Sequence, residues 1–379
     1  MLLATPFLVG LGFSMIVPYL PIYFAEQGLP YTIIGVIYGM FPLARLVLTL
    51  PAGYLSDRFG HLYVSSIGLL LYTLTSALFL MPCGAYFFAV LRFLQGAASA
   101  LTWAPLLAVL LSSVRENTRP RVSSLFQASM NTGLALGPLI AAFLVKLYNV
   151  RVLFEVCTVL CALALIIVLT YLLCYHGVST IARVEQQEKH VRLLLKNRYV
   201  TCIALSNAIG LVGFGIFTAM IPIYIEHVFK EKWLVGITFL TLHTSSALSQ
   251  YMWSIVASRI CLEKLWNIST LLYATSALPI LLLSLVPNTT VLVASVCAHA
   301  FLTSALVATW PALLCTKVDK STYGISISTV RFCGDLGTFT GTIISGVLYS
   351  AQLNLILYTY ALCLVIATIP LIVLKIWKE

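Results

Sequence analysis

Charge is what this sequence lacks. Only 9% of its 379 residues are Asp, Glu, Lys or Arg, while 60% are hydrophobic. A water-soluble domain carries about 25% charged residues, so a soluble globular chain is excluded. The mean hydropathy of +1.01 points the same way. There is no glycine-rich loop ending in lysine to cradle a nucleotide phosphate, which argues against ATP-driven chemistry. Nothing points to an enzyme, and no cofactor is expected. The ten cysteines form no paired framework in the loops; most lie inside apolar runs and read as small buried hydrophobes, not disulfides or metal ligands. His243 and His299 share no metal-ligand spacing, so no metal is expected either. Each reads as a hydrogen-bonded core residue, with a proton relay as the open alternative.

The first apolar run, "FLVGLGFSMIVPYLPIYF", lacks a basic leader and an A-x-A cleavage pattern. A retained transmembrane helix is expected there, not a signal peptide.

What is present is a series of apolar runs about 20 residues long, without the alternation of a membrane barrel. In lipid the backbone must satisfy its own hydrogen bonds, so these runs are helices. Gly/Pro turns and charge clusters divide them into twelve spans: 5–25, 33–55, 61–81, 84–112, 122–147, 150–175, 199–225, 233–258, 266–286, 289–313, 322–350 and 352–375. The fold class is an all-α polytopic membrane protein. An N-terminal six-helix bundle is expected over 1–175, a cytoplasmic linker over 176–198 and a C-terminal six-helix bundle over 199–379.

The net charge of +10 is a topology signal and does not imply a nucleic-acid partner. One set of loops, including Arg58, Arg115, Arg119, Arg121 and the linker, holds 15 basic residues; the opposite set holds four, Lys146, Arg151, Lys230 and Lys232. The positive-inside rule places both termini in the cytoplasm. The short loops suit a bacterial inner membrane, although Asn288-Thr289-Thr290 forms a glycosylation sequon in an outward loop. The linker "ARVEQQEKHVRLLLKNR" reads as a solvated connection, with a regulatory surface as the alternative.

The halves repeat. Pro21-Ile22-Tyr23 aligns with Pro222-Ile223-Tyr224, Gly35 with Gly236, and Arg58 with Arg259 where Asp57 has become Ser258. Two similar halves in one orientation suit alternating access around a midplane site.

Three motifs carry a resemblance over essentially the whole chain. "GYLSDRFGH" (53–61), "RFLQGAASA" (92–100) and "GLALGPLIAA" (133–142) resemble the loop 2–3, fourth-helix and fifth-helix motifs of the major facilitator superfamily. Within it, the chain is similar to the drug/proton antiporter-like efflux branch. The resemblance implies that Asp57, with Arg58 beside it, latches helix 2 to helix 11; a solvated turn that merely sets orientation is the other reading. Gly53 and Gly60 allow close approach and a tight turn. His61-Leu62 stands where the family has a basic pair, which weakens the electrostatic part of such a latch. The family links the fourth-helix arginine, here Arg92, to proton coupling. It lies roughly 12 Å into its helix at 1.5 Å per residue, costly unless it faces a cavity or a partner. The alternative is a structural arginine bonded to nearby carbonyls. Asp335 is the one carboxylate well inside a span, and Arg331 lies one turn away. The pair reads as a switching proton site or as a permanent bridge.

Gly133, Gly137 and Pro138 in helix 5, and Gly337 and Gly341 in helix 11, provide small faces for tight packing. Ala141-Ala142 replaces the family's Gly-Gly, so the export signature is incomplete. By the family architecture, helices 1, 4, 7 and 10 line the substrate path. They offer Tyr19, Tyr23, Gln95, Trp103, Asn207, Phe217, Tyr224 and Trp310, a mix that suits amphipathic, neutral or anionic solutes. The expected function is proton-coupled efflux of small amphipathic organic compounds by a monomer in the lipid bilayer. Uptake of a nutrient by symport or facilitated diffusion is the alternative, and a non-transporting membrane sensor the minor one.

Overall fold

The computed structural model describes residues 2–81, 84–115, 118–174, 197–257, 259–318 and 322–376. Among these residues the regular structure is entirely helical. We number the spans α1 (Ala4–Glu26), α2 (Tyr31–Phe59), α3 (His61–Leu78), α4 (Ala85–Ser112), α5 (Arg119–Leu147) and α6 (Arg151–Cys174). They continue as α7 (Arg198–Phe229), α8 (Trp233–Ala257), α9 (Leu262–Thr275, resuming as Ala277–Leu285), α10 (Thr289–Lys317), α11 (Tyr323–Ala351) and α12 (Leu355–Ile376). All but α8 and α11 are long and apolar enough to cross a bilayer by length and composition alone. Residues 176–196 of the expected linker lie outside the described residues, as does Ser258.

The ends follow local chemistry. Asn197 caps α7 by accepting the backbone N–H of Tyr199 at 3.0 Å, and Asn288 caps α10 through Thr290 N–H at 2.9 Å. α1 contains a 3₁₀ turn over Val17–Tyr19, with Pro18 inside it and Pro21 just after it. Proline removes an amide donor and crowds the preceding turn, so two within four residues interrupt the ladder. The repeat partner Pro222 stands alone, and α7 runs through it unbroken.

The chain forms two units, Met1–Arg183 with Glu231–Leu240, and Val184–Lys230 with Thr241–Glu379. In the first, α1 packs against α5 and α6, and α4 against α2 and α3. In the second, α7 packs against α11 and α12, and α10 against α9. The pairs α1–α5, α1–α6 and α4–α3 thus have counterparts in α7–α11, α7–α12 and α10–α9. α1 and α7 are central to their own units, with 78% and 72% of their apolar windows buried, whereas α6 has 33% buried. Large apolar side chains left outside, such as Leu50, Leu173 and Leu285, would form untenable patches in water and are at home in lipid.

Small-residue seams set the closest contacts. A Cβ on Gly137 would meet the Ser14 hydroxyl and the Leu11 carbonyl oxygen, the latter at 2.7 Å, so α1 and α5 touch backbone to backbone. Gly133 brings the Leu11 nitrogen within 2.8 Å of the same imagined atom. Gly337 and Gly341 play this part between α11 and α7, against Ala208 and Val212.

Candidate functional site

The "SDRFGH" stretch is mostly helix. α2 extends to Phe59, so Asp57 and Arg58 occupy its last turn; Asp57 is half-buried and Arg58 exposed. Arg58 lies over the Phe59 ring at 5.4 Å, at the helix end where a cation is favoured by the macrodipole. The chain then reverses at Gly60, whose φ of +98° and ψ of 134° suit glycine alone. Buried Ser56 hydrogen-bonds His61 Nδ1 at 2.5 Å, tying the end of α2 to the start of α3. Gly53 has nothing within 4 Å of where a Cβ would stand.

Arg92 on α4 is 1% exposed, one of the largest fully buried side chains described. Its Nη1 donates to Gln95 Oε1 at 2.9 Å and Nη2 to the Tyr38 carbonyl at 3.5 Å. The guanidinium also lies 4.9 Å from the ring centroids of both Tyr38 and Phe41. Its Nε and the Gln95 Nε2 are buried without hydrogen-bond partners among the described residues. The site is thus a buried cation held by neutral groups.

The other candidates of the first unit are packing residues in this arrangement. Tyr19 is buried, and its hydroxyl accepts the Gly236 N–H at 3.0 Å. Tyr23 donates to the Phe79 carbonyl at 2.8 Å and sits among Phe24, Phe88 and Phe154. Trp103 is half-buried, edge-on to Phe126.

In the second unit, α7, α8, α9, α10 and α12 enclose a cavity of about 250 Å³. Two of the four sequence candidates there, Asn207 and Trp310, line it. Phe217 and Tyr224 do not; both are about 1% exposed. Asn207 is fixed by donating its amide to the Val330 carbonyl on α11 at 2.9 Å. Arg331 and Asp335, exposed and half-buried on α11, lie off the cavity wall.

The wall also holds residues that sequence reasoning did not bring together: His243, His299, Tyr273 and Tyr360. His299 Nδ1 is 3.1 Å from the Ser276 carbonyl, which can only accept, so Nδ1 carries the proton. Nε2, 2.6 Å from the Tyr360 hydroxyl, then accepts from it. Both ring nitrogens are satisfied in the uncharged form. The accepting carbonyl belongs to Ser276, the residue between the two segments of α9. Phe217 braces this pair, 5.1 Å from the Tyr360 ring and 6.4 Å from the His299 ring. The available sequence signal is a glycine pair: a Cβ on Gly210 would strike the Tyr273 hydroxyl, and one on Gly213 would stand 2.6 Å from the Tyr360 ring.

Tyr360→Phe is expected to destabilise the protein by about 1–3 kcal/mol, because it leaves a buried imidazole nitrogen without its donor. Thermal unfolding of the purified protein in detergent measures it; an unchanged midpoint would show the hydrogen bond to be dispensable.

Comparison with known proteins fits this architecture. Nucleoside transporter NupG, in a crystal structure of a single-residue mutant, superimposes with a TM-score of 0.80 over 98% of this chain and 99% of that one. At 13% identity this likeness concerns the fold alone. Multidrug resistance protein 1 of Bacillus subtilis (strain 168) is 28% identical over 148 residues, 39% of this chain and 38% of the relative. Quinolone resistance protein NorA of Staphylococcus aureus is 23% identical over 140 residues, 37% of this chain and 36% of the relative. The chain thus spans about two fifths of the length of these curated relatives. The profile of the Major Facilitator Superfamily, a family of transporters and not of enzymes, matches residues 2–342. With that match extending over nearly the whole chain, the protein belongs to the Major Facilitator Superfamily.

Proposed function

We propose that the protein is a secondary active transporter that exports small amphipathic organic compounds by alternating access, driven by proton entry. The observation that carries this reading is the cavity of the second unit. Its wall combines Trp266, Trp310, Phe214 and several leucines with polar side chains that include Asn207, Gln250 and the hydroxyls of Ser206, Ser246 and Ser304. That composition suits an amphipathic ligand, with apolar surface against the aromatic and leucine side chains and polar atoms against the rest. The names of the two bacterial relatives, a multidrug and a quinolone resistance protein, favour export.

Proton coupling rests on two intramembrane groups: Arg92, buried without an ion pair among the described residues, and Asp335, half-buried on α11. The distribution of basic residues supports two cytoplasmic termini, and the two bacterial relatives favour a bacterial plasma membrane as the setting. Asp57 and Arg58, at the end of α2, are assigned to gating.

Flux in proteoliposomes tests the coupling. Substrate movement is expected to rise at least fivefold when an inward-directed proton gradient is imposed at constant pH on the substrate side. Equal flux with and without the gradient would leave a transporter without proton coupling.

A further inference from the structure

We infer that the cavity of the second unit selects uncharged aromatic compounds bearing hydrogen-bond acceptors, and rejects cations and anions of the same shape. This rests on the transport reading only in making the ligand a substrate; the site itself is argued from its wall.

Among the described residues, no Asp, Glu, Lys or Arg lines the cavity. A cation entering it would shed water and meet no carboxylate. A carboxylate or phosphate would meet no guanidinium or ammonium. An ion taken out of water without a partner is strongly disfavoured, so charge acts here as a filter. The imidazole of His299 does not alter this, since both its nitrogens are engaged by Ser276 and Tyr360. His243, the second histidine of the wall, carries no fixed charge.

The uncommitted polar groups then define what is accepted. The Tyr273 hydroxyl, the indole N–H groups of Trp266 and Trp310, the Gln250 amide and the hydroxyls of Ser206, Ser246 and Ser304 belong to wall residues, and none makes a hydrogen bond among the described residues. Indole N–H groups can only donate, and a phenol donates readily. The serine hydroxyls and the Gln250 amide can donate or accept as the ligand requires, whereas the two indoles need an acceptor, so an acceptor on the ligand is the partner that satisfies every group. Carbonyl oxygens and unprotonated ring nitrogens meet that need without carrying charge. The flat faces of Trp266, Trp310 and Tyr273 favour a planar ring system. A volume of about 250 Å³ limits it to one or two fused rings.

One skeleton in three charge states provides the test: 2-naphthamide, 2-naphthamidinium and 2-naphthoate, with equilibrium binding measured on the full chain in nanodiscs against empty nanodiscs. The amide is expected to bind at least tenfold more tightly than either ion. Tyr273→Phe is expected to weaken amide binding about fivefold while leaving the melting temperature unchanged, because the lost hydroxyl has no protein partner. An ion binding within tenfold of the amide, or full amide affinity in Tyr273→Phe, would overturn the inference. Selective amide binding without flux in proteoliposomes would uphold the site and remove the transport reading. Flux of the three compounds without preference for the amide would do the reverse.

Discussion

Gly341→Ala is expected to lower the unfolding free energy by about 3 kcal/mol, read as a lower melting temperature in detergent. An ideal Cβ at this position lands on the Val212 carbonyl oxygen, with Val212 C and Cα at 2.8 and 2.9 Å. All three are backbone atoms, so no change of rotamer relieves the clash. Only separating α11 from α7 would do so, and that separation would act on the whole seam. Gly215 holds the Thr338 carbonyl oxygen within 2.6 Å of its own imagined Cβ, and Gly337 holds Ala208 C within 2.9 Å. In lipid, helices associate through packing contacts and not through expulsion of water, so a lost fit has no general hydrophobic compensation. The seam also positions the cavity, since Asn207 lines the wall while bonding across it to Val330. Gly53→Ala on α2 is the control. Its Cβ would meet nothing within 4 Å, so stability should hold or rise by up to about 1 kcal/mol through helix propensity. Equal melting of the two variants would show that the α7–α11 contact tolerates a side chain.

The helices were legible in the sequence because lipid imposes one rule on every span: about 20 apolar residues with all backbone groups paired internally. The run expected at 5–25 is α1 at Ala4–Glu26, and the one at 289–313 is α10 at Thr289–Lys317, longer by a turn. Polar residues fall within α10's last turn because Thr316 and Lys317 can continue a helix as it leaves the apolar layer. Hydropathy could not show which face of a uniformly apolar helix turns inward. Phe217 and Asn207 both lie on α7, yet only Asn207 reaches the cavity. Nor could it reveal partners brought together by tertiary packing. His299 looked like a core histidine, and its bonds to Ser276 and Tyr360 span 23 and 61 residues of sequence. The α2 end shows a subtler limit: Gly60 marked the reversal, but charge at Asp57-Arg58 suggested a loop where the helix continues to Phe59.

Arg92→Met, combined with Gln95→Leu, is expected to reduce gradient-driven flux at least tenfold while keeping unfolding stability within about 1 kcal/mol of the parent. Burying a guanidinium costs several kcal/mol even after relaxation. The compensation is one good hydrogen bond from Nη1 to Gln95, one at 3.5 Å to the Tyr38 carbonyl, and two aromatic faces at 4.9 Å. A desolvated cation–π contact contributes about 2 kcal/mol, and the Nε donor still lacks a partner among the described residues. Methionine can fill the slot between Tyr38 and Phe41 without that desolvation cost, and leucine at 95 removes an amide that would otherwise lose its donor. A purely structural arginine predicts the opposite pattern: a fall of about 3 kcal/mol or more, with flux declining only as the folded fraction declines. Stable protein with normal gradient-driven flux would remove the coupling role altogether. The expected pattern, a stable protein without coupling, would mean that the charge at Arg92 serves transport at the expense of stability, because nothing in its neutral cage makes a buried cation the better fit.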